Sequence, residues 1–336
     1  MNDDILQKAK STVREFHSAF DASADAGLAD CLAAHVPADY FWRGMHPFYE
    51  QTGADAVASV FWLPLRKAFT SLQRREDVFM AGFNDVDQGE SVWVATMGNM
   101  MGLFDRDWLG IPATGKMAFL RYAEFHRVAD GLIAESAFFC DIINVMQQAG
   151  CDPLPQQTGA AIVAPGPRTH DGLLFDSQSP ADGDRTMSLV NSMIADLSKL
   201  NSSGDDRCPP ELLAKTWHDD MAWYGPAGIG ATYTIPRYQE QHQHPFRTQL
   251  KDKVFHGHIA RFAEGNYAGF FGWANLTNTP TGGFLGLPGS NVRADMRVVD
   301  IYRRDGDKLA ENWVFIDLLH WLSMQNLDIL ERLKRA

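Results

Sequence analysis

Near the end of the chain stands Glu311-Asn312-Trp313-Val314-Phe315-Ile316-Asp317, and its first half holds the related stretch Glu135-Ser136-Ala137-Phe138-Phe139-Cys140-Asp141. Glu, Phe and Asp coincide at a constant shift of 176 residues. Outward from there, Asn99, Leu109, Gly110, Pro112, Arg121, Arg127 and Ala134 fall on Asn275, Leu285, Gly286, Pro288, Arg297, Arg303 and Ala310. At a shift of 181, Asp39, Trp42, Gly44, Pro64 and Arg66 fall on Asp220, Trp223, Gly225, Pro245 and Arg247. The drop from 181 to 176 places a deletion of five residues between Arg247 and Asn275. A repeat of this length is too large for a solenoid unit and implies two domains of one kind. The expected boundaries are 1–150 and 183–336, joined by a linker over 151–182 rich in Pro, Gly, Gln and Ser. Its apolar stretch Ala160–Val163 suggests that part of the linker packs on a domain.

A chain of 336 residues suits two domains on a length prior of roughly 150 residues each. With 45% apolar and 11% aromatic residues, each half can bury a core. The net charge of -12 argues against a nucleic-acid partner, because phosphate contact needs a basic face. No apolar run approaches the roughly 18 residues of a membrane span, so no membrane partner is expected. MNDDILQKAK lacks the apolar core of a signal peptide, and the four cysteines lack metal-type spacing. A cytoplasmic location with reduced thiols is the expectation.

Each half reads as helices followed by strands, an α+β pattern. Ile5, Ala9, Val13, Phe16 and Phe20 recur at helical spacing, which predicts a helix over 4–24. A short helix near 28–35, a short strand at 40–43 and a helix over 53–69 follow. Strands are expected at 75–84, 92–104, 117–128 and 132–143, with turns at Gly89 and Asp130-Gly131. The second half predicts helices at 186–200, 210–218 and 235–250 around a short strand at 221–224, then strands near 254–262, 267–275, 292–302 and 309–316.

The segment Leu109-Gly110-Ile111-Pro112-Ala113-Thr114-Gly115-Lys116 resembles the loop of SnoaL-like polyketide cyclases, members of the NTF2-like superfamily. Leu285-Gly286-Leu287-Pro288-Gly289-Ser290-Asn291 is a looser copy, and Glu311 to Leu319 matches the family's Glu-x-Trp strand, terminal Asp and leucine-rich helix. The resemblance covers both halves but not the linker. It implies two tandem cone-shaped domains, each a curved antiparallel sheet closed by about three helices around an apolar pocket. Family members pair through their sheets, so the two copies could form an intramolecular pseudo-dimer, with further homo-oligomers left open. The implied activity is general acid/base chemistry on a hydrophobic, carbonyl-bearing small molecule, as in cyclisation or isomerisation, with no cofactor and no metal. The alternative is a non-catalytic pocket protein that binds such a ligand or a protein partner. One departure bears on mechanism. Many family members carry another Asp directly after the Trp of the last strand, where this chain has Val314 and Phe138.

The terminal Asp317 and Asp141 are the best remaining carboxylates for catalysis; as Asp at strand-to-helix junctions they suit helix caps equally. Alternation groups Glu311, Trp313, Phe315 and Asp317 on one strand face, and Glu135, Ala137, Phe139 and Asp141 on its equivalent. Arg121 and Arg297 could anchor a substrate carboxylate or enolate, or serve with Arg127 and Arg303 in cross-strand ion pairs to Glu135 or Glu311. Trp42 and Trp223 could stack on a flat ligand or pack in the core. His46 lies beyond Trp42 and has Ala227 as its counterpart, so any role belongs to one domain only. His242-x-His244 falls on a helix, where that spacing points the rings apart; His256-x-His258 falls on a strand but lacks a carboxylate, so neither makes a metal site. There is no strand–GxGxxG–helix loop and no recognisable nucleophile motif.

Overall fold

A computed structural model describes residues 2–155, 157–203 and 207–334. The chain forms two compact units. One holds the chain up to Cys151, together with Gly166–Ser177 and the segment from Asp328; the other holds Asp152–Pro165 and Gln178–Leu327. Within the first unit, Gly172 and Leu174 exchange backbone hydrogen bonds with Phe79 at 2.8 and 2.9 Å. Within the second, Ala160 and Ala231 pair at 2.8 and 2.9 Å, while Ile162 and Val163 stay exposed. No helix among the described residues is long and apolar enough to cross a membrane.

The first unit opens with α1 (Asn2–Ala22), whose Ala9, Val13, Phe16, His17 and Phe20 make one buried stripe. The short α2 (Leu28–Ala33) leads to the hairpin β1 (Phe41–Gly44) and β2 (Tyr49–Thr52). A helix follows in three parts: α3 (Ala54–Val57), a π turn (Ala58–Trp62) and α4 (Leu63–Ala68). Then come β3 (Phe69–Phe83), β4 (Val92–Phe104), β5 (Met117–Ala129), β6 (Leu132–Cys140) and the short α5 (Ile142–Gln148). The six strands lie in the order β2-β1-β6-β5-β4-β3. All neighbours are antiparallel except β1 and β6. The sheet is therefore mixed, where a purely antiparallel one was expected.

The second unit repeats this order with α6 (Pro180–Ser202), α7 (Pro210–Leu213), β7 (Trp217–Tyr224) and β8 (Ala231–Tyr233). Its three-part helix is α8 (Ile235–Tyr238), a π turn (Gln239–Gln243) and α9 (His244–Gln249). After it come β9 (Leu250–Phe255), β10 (Ala260–Glu264), β11 (Tyr267–Pro280), β12 (Ala294–Asp305), β13 (Lys308–Ile316) and α10 (Leu318–Ser323). The path is β10-β11-β12-β13-β7-β8, with β9 also on β11 and only β7 and β13 parallel. Each unit thus has the α+β organisation that the sequence resemblance implies. The long β3 is replaced by two short strands, β9 and β10, and the five-residue deletion falls in this region. His256 and His258 lie in the break rather than on a strand: His256 Nε2 is 3.1 Å from Thr277 Oγ1, and His258 stacks on Phe270 at 3.9 Å. The last short helix, α11 (Ile329–Leu333), belongs to the first unit, with Asp328 as its cap.

The two π turns stand 181 residues apart, as the repeat requires. A π turn adds a residue to the helical register and rotates the side chains that follow. In the first unit it carries Phe61 and Trp62, both buried; in the second, His242 and Gln243.

Candidate functional site

Alternation along β5 and β6 puts Tyr122, Glu124, His126, Ser136 and Phe138 on one face of the first sheet. That face is the one covered by α1 and the π turn. Phe138 packs on Phe61 and Trp62 with ring centroids 4.7 and 5.3 Å apart, and Trp42 meets Phe61 at 5.6 Å. Gly44 follows from this packing. A Cβ there would sit 2.2 Å from the Trp42 ring, and at Gly225 only 2.0 Å from the Trp223 ring, so the Trp-x-Gly spacing recurs because the indole folds over the residue two places on.

Among these apolar walls lies a charged cluster. His17 on α1 has Nδ1 2.8 Å from Glu76 Oε1 and Nε2 3.7 Å from Glu124 Oε2. His126 has Nδ1 2.7 Å from Ser136 Oγ and Nε2 3.5 Å from the same Glu124 oxygen. Arg74 reaches that oxygen at 3.2 Å and also pairs with Asp21 at 3.2 Å. Burial alone would raise the Glu124 carboxyl, but His126, His17 and Arg74 together hold it well below the usual carboxylate range. Burial and Arg74 oppose a charge on His17, yet its carboxylate neighbours prevail and raise its pKa. His126 is lowered, chiefly by burial.

In the second unit, Asp300, Tyr302 and Asn312 stand 176 residues after Glu124, His126 and Ser136. The Tyr302 hydroxyl and Asn312 Nδ2 both donate to Asp300 Oδ1, at 3.1 and 3.2 Å. Burial raises the Asp300 carboxyl to about 6 despite these two donors. His242 occupies the place of Phe61 and stacks 4.1 Å from Trp223, with Tyr238 5.5 Å away. Burial lowers its pKa to about 3, so the imidazole is neutral at pH 7. Its Nδ1 has no hydrogen-bond partner among the described residues. Asp300, Tyr238, His242 and Phe246 are all half-buried, whereas their counterparts Glu124, Val57, Phe61 and Leu65 are buried. These side chains of the second unit are therefore less buried than their counterparts in the first.

The other residues singled out from sequence are placed as follows. Trp42 and Trp223 lie on the interior faces. Arg121, Arg297, Glu311 and Trp313 point to the opposite faces of their sheets, by the same alternation. There Arg43 and Arg127 converge on Glu135, the latter at 3.2 Å, and Arg303 binds Glu311. Arg297 lies 4.0 Å over the Trp273 ring and 3.6 Å from Asp317. The Trp313 indole donates to the Pro165 carbonyl at 2.8 Å. His46 Nδ1 is 2.7 Å from the Tyr49 hydroxyl, and its Nε2 is 3.9 Å from Asp328. Asp141 accepts from the Asn144 N–H at 3.1 Å and Asp317 from the His320 N–H at 3.2 Å, each the N-cap of the helix it precedes. Glu124 and Asp300 stand three residues beyond Arg121 and Arg297, on the other face of the same strands. The signal that could have singled them out is the repeat itself, which aligns an acidic residue with an acidic residue on the middle strand.

The chain matches no protein-family model and none of the curated proteins. Solved structures resemble one unit at a time. TsrD from Streptomyces laurentii is 19% identical over 42% of this chain and 96% of its own, with a TM-score of 0.34. A candidate SnoaL-like polyketide cyclase from Jannaschia sp. CCS1 is 20% identical over 42% of this chain and 90% of its own, also at 0.34. An NTF2-like protein from Burkholderia xenovorans LB400 is 12% identical over 43% of this chain and 98% of its own, again at 0.34.

Proposed function

We propose that the second unit is an enzyme site for a hydrophobic, carbonyl-bearing small molecule, with Asp300 as its general base and acid. The observation that carries this reading is the half-buried Asp300 carboxyl, raised to about 6 and close enough to Tyr238 to act on its hydroxyl, while the Tyr238 ring packs on Trp223 and His242. At pH 7 such a carboxyl is mostly ionised, yet it is a stronger base than a solvated Asp. Tyr302 and Asn312 both bind Oδ1, which leaves Oδ2 to take a proton from carbon beside the carbonyl. The aromatic rings supply flat apolar walls for the substrate. The neutral His242 can donate an N–H to the enolate oxygen, whereas an imidazolium would protonate it outright. Return of the proton at another carbon completes an isomerisation; attack of the enolate on a second carbonyl completes a cyclisation.

Deuterium uptake by a panel of polycyclic and 1,3-dicarbonyl ketones in D2O tests proton abstraction without knowledge of the natural substrate. The wild-type chain is expected to speed exchange of at least one ketone, and Asp300→Asn to lose on the order of a hundredfold or more of that rate. Ketones that bind but exchange no faster than in buffer would instead support a non-catalytic binding protein.

A further inference from the structure

The charged cluster of the first unit takes no part in that chemistry, and its geometry calls for an explanation of its own. Three potential ligand atoms, His17 Nε2, His126 Nε2 and a Glu124 carboxylate oxygen, lie within 4.8 Å of one another, and all three residues are buried. Both Nε2 atoms lack a hydrogen-bond partner among the described residues. At 3.7 and 3.5 Å from Glu124 Oε2 they are too far for good hydrogen bonds. These separations match the edge of a tetrahedron whose centre lies roughly 2.0–2.2 Å from each ligand, the span of zinc–nitrogen and zinc–oxygen bonds.

The surrounding groups orient the same lone pairs inward. Glu76 can only accept, so His17 Nδ1 carries the proton and donates to it at 2.8 Å. The lone pair of a neutral His17 then sits on Nε2, aimed at Glu124. Ser136 lies 2.7 Å from His126 Nδ1, and when its hydroxyl accepts from that nitrogen the His126 lone pair also sits on Nε2. A carboxylate on the far nitrogen, as Glu76 supplies to His17, is the usual second layer around a metal-bound imidazole.

We propose that His17, Glu124 and His126 bind one divalent first-row transition-metal ion, of the zinc or cobalt class, inside the first unit. Two imidazoles and one carboxylate select such an ion over magnesium or calcium, which prefer all-oxygen shells. Three protein ligands leave a fourth position for water or a small ligand.

Because the three ligands are buried, the ion is best supplied during folding. The full chain is produced in cells grown with Co2+ or Zn2+, gel-filtered, and measured by atomic emission and, for Co2+, by visible absorption. The expected result is about one ion per chain, with the intense d–d bands of low-symmetry Co2+, displaced by Zn2+. His126→Gln should abolish both signals. Glu76→Gln, which leaves all three ligands in place, should weaken retention 10- to 100-fold in competition with a chelator. His320→Gln, at a histidine paired with Asp295 in the second unit, should change nothing. A chain without stoichiometric metal, or one whose metal survives both His126→Gln and Glu76→Gln, overturns the proposal. Should His126→Gln fail to fold, the Glu76→Gln competition and the wild-type Co2+ spectrum decide it.

Discussion

Asp300 links a stability effect to a rate effect. Its carboxyl is raised to about 6 in the folded chain, against about 3.9 when unfolded. Between those values the folded state binds the extra proton, so stability is highest below pH 4 and falls as pH rises through 6. The shift bounds the loss at about 3 kcal/mol, less whatever solvent recovers at a half-exposed group. Asp300→Asn should flatten this part of the curve of unfolding free energy against pH. The variant should then match the wild type near pH 4 and exceed it at pH 8; equal pH profiles would show that Asp300 titrates normally. The exchange rate of the wild type should climb through pH 6 and level off above it, the opposite direction to stability. The terminal aspartates separate on a different test. Asn caps a helix about as well as Asp, so Asp141→Asn should be nearly neutral while Asp141→Ala costs about 1 kcal/mol. Asp317→Asn should cost more than the cap alone accounts for, because fully buried Asp317 also faces Arg297 at 3.6 Å. If chemical denaturation shows the Asn variants intact while ketone exchange collapses, the aspartates are catalytic after all.

At the scale of elements, the repeat made much of the fold legible, because side-chain spacing and turn residues are local properties. Strand β4 at 92–104 and the start of β5 at 117 follow from pattern alone. Three features were not legible, each for a physical reason. The parallel pairing of β1 with β6 joins residues far apart in sequence and leaves no local mark. The π turns need one residue more than the periodicity of an α-helix reveals, and they decide that Phe61 and His242 face inward. Alternation sorts strand residues into two faces, but only the helices decide which face is the interior. Here His17, Phe61 and Trp62 settle it in the first unit, choosing Glu124 over Glu135. A carboxylate bracketed by arginines on one face of a sheet and one enclosed by aromatics on the other read alike in sequence.

At the scale of the whole chain, duplication has let the two interiors diverge. Phe61 and Trp62 in the first copy are His242 and Gln243 in the second, and Glu124 with His126 becomes Asp300 with Tyr302. One interior is packed and charged; the other has less buried side chains and an acid that can lose and regain a proton near neutrality. A ligand should accordingly bind one copy. Planar phenols, which mimic an enol, are suitable probes, since burial and hydrogen bonds to the neutral acid favour them. Calorimetry of the full chain should give about one equivalent per chain, with binding weakening above pH 6 as Asp300 ionises. His242→Phe restores the residue type of the first copy and fills the second interior with little loss of packing. It should abolish phenol binding and leave the melting temperature within a few degrees of the wild type. Two equal sites per chain, or full affinity in His242→Phe, would place the ligand elsewhere and remove the basis for assigning the chemistry to the second unit.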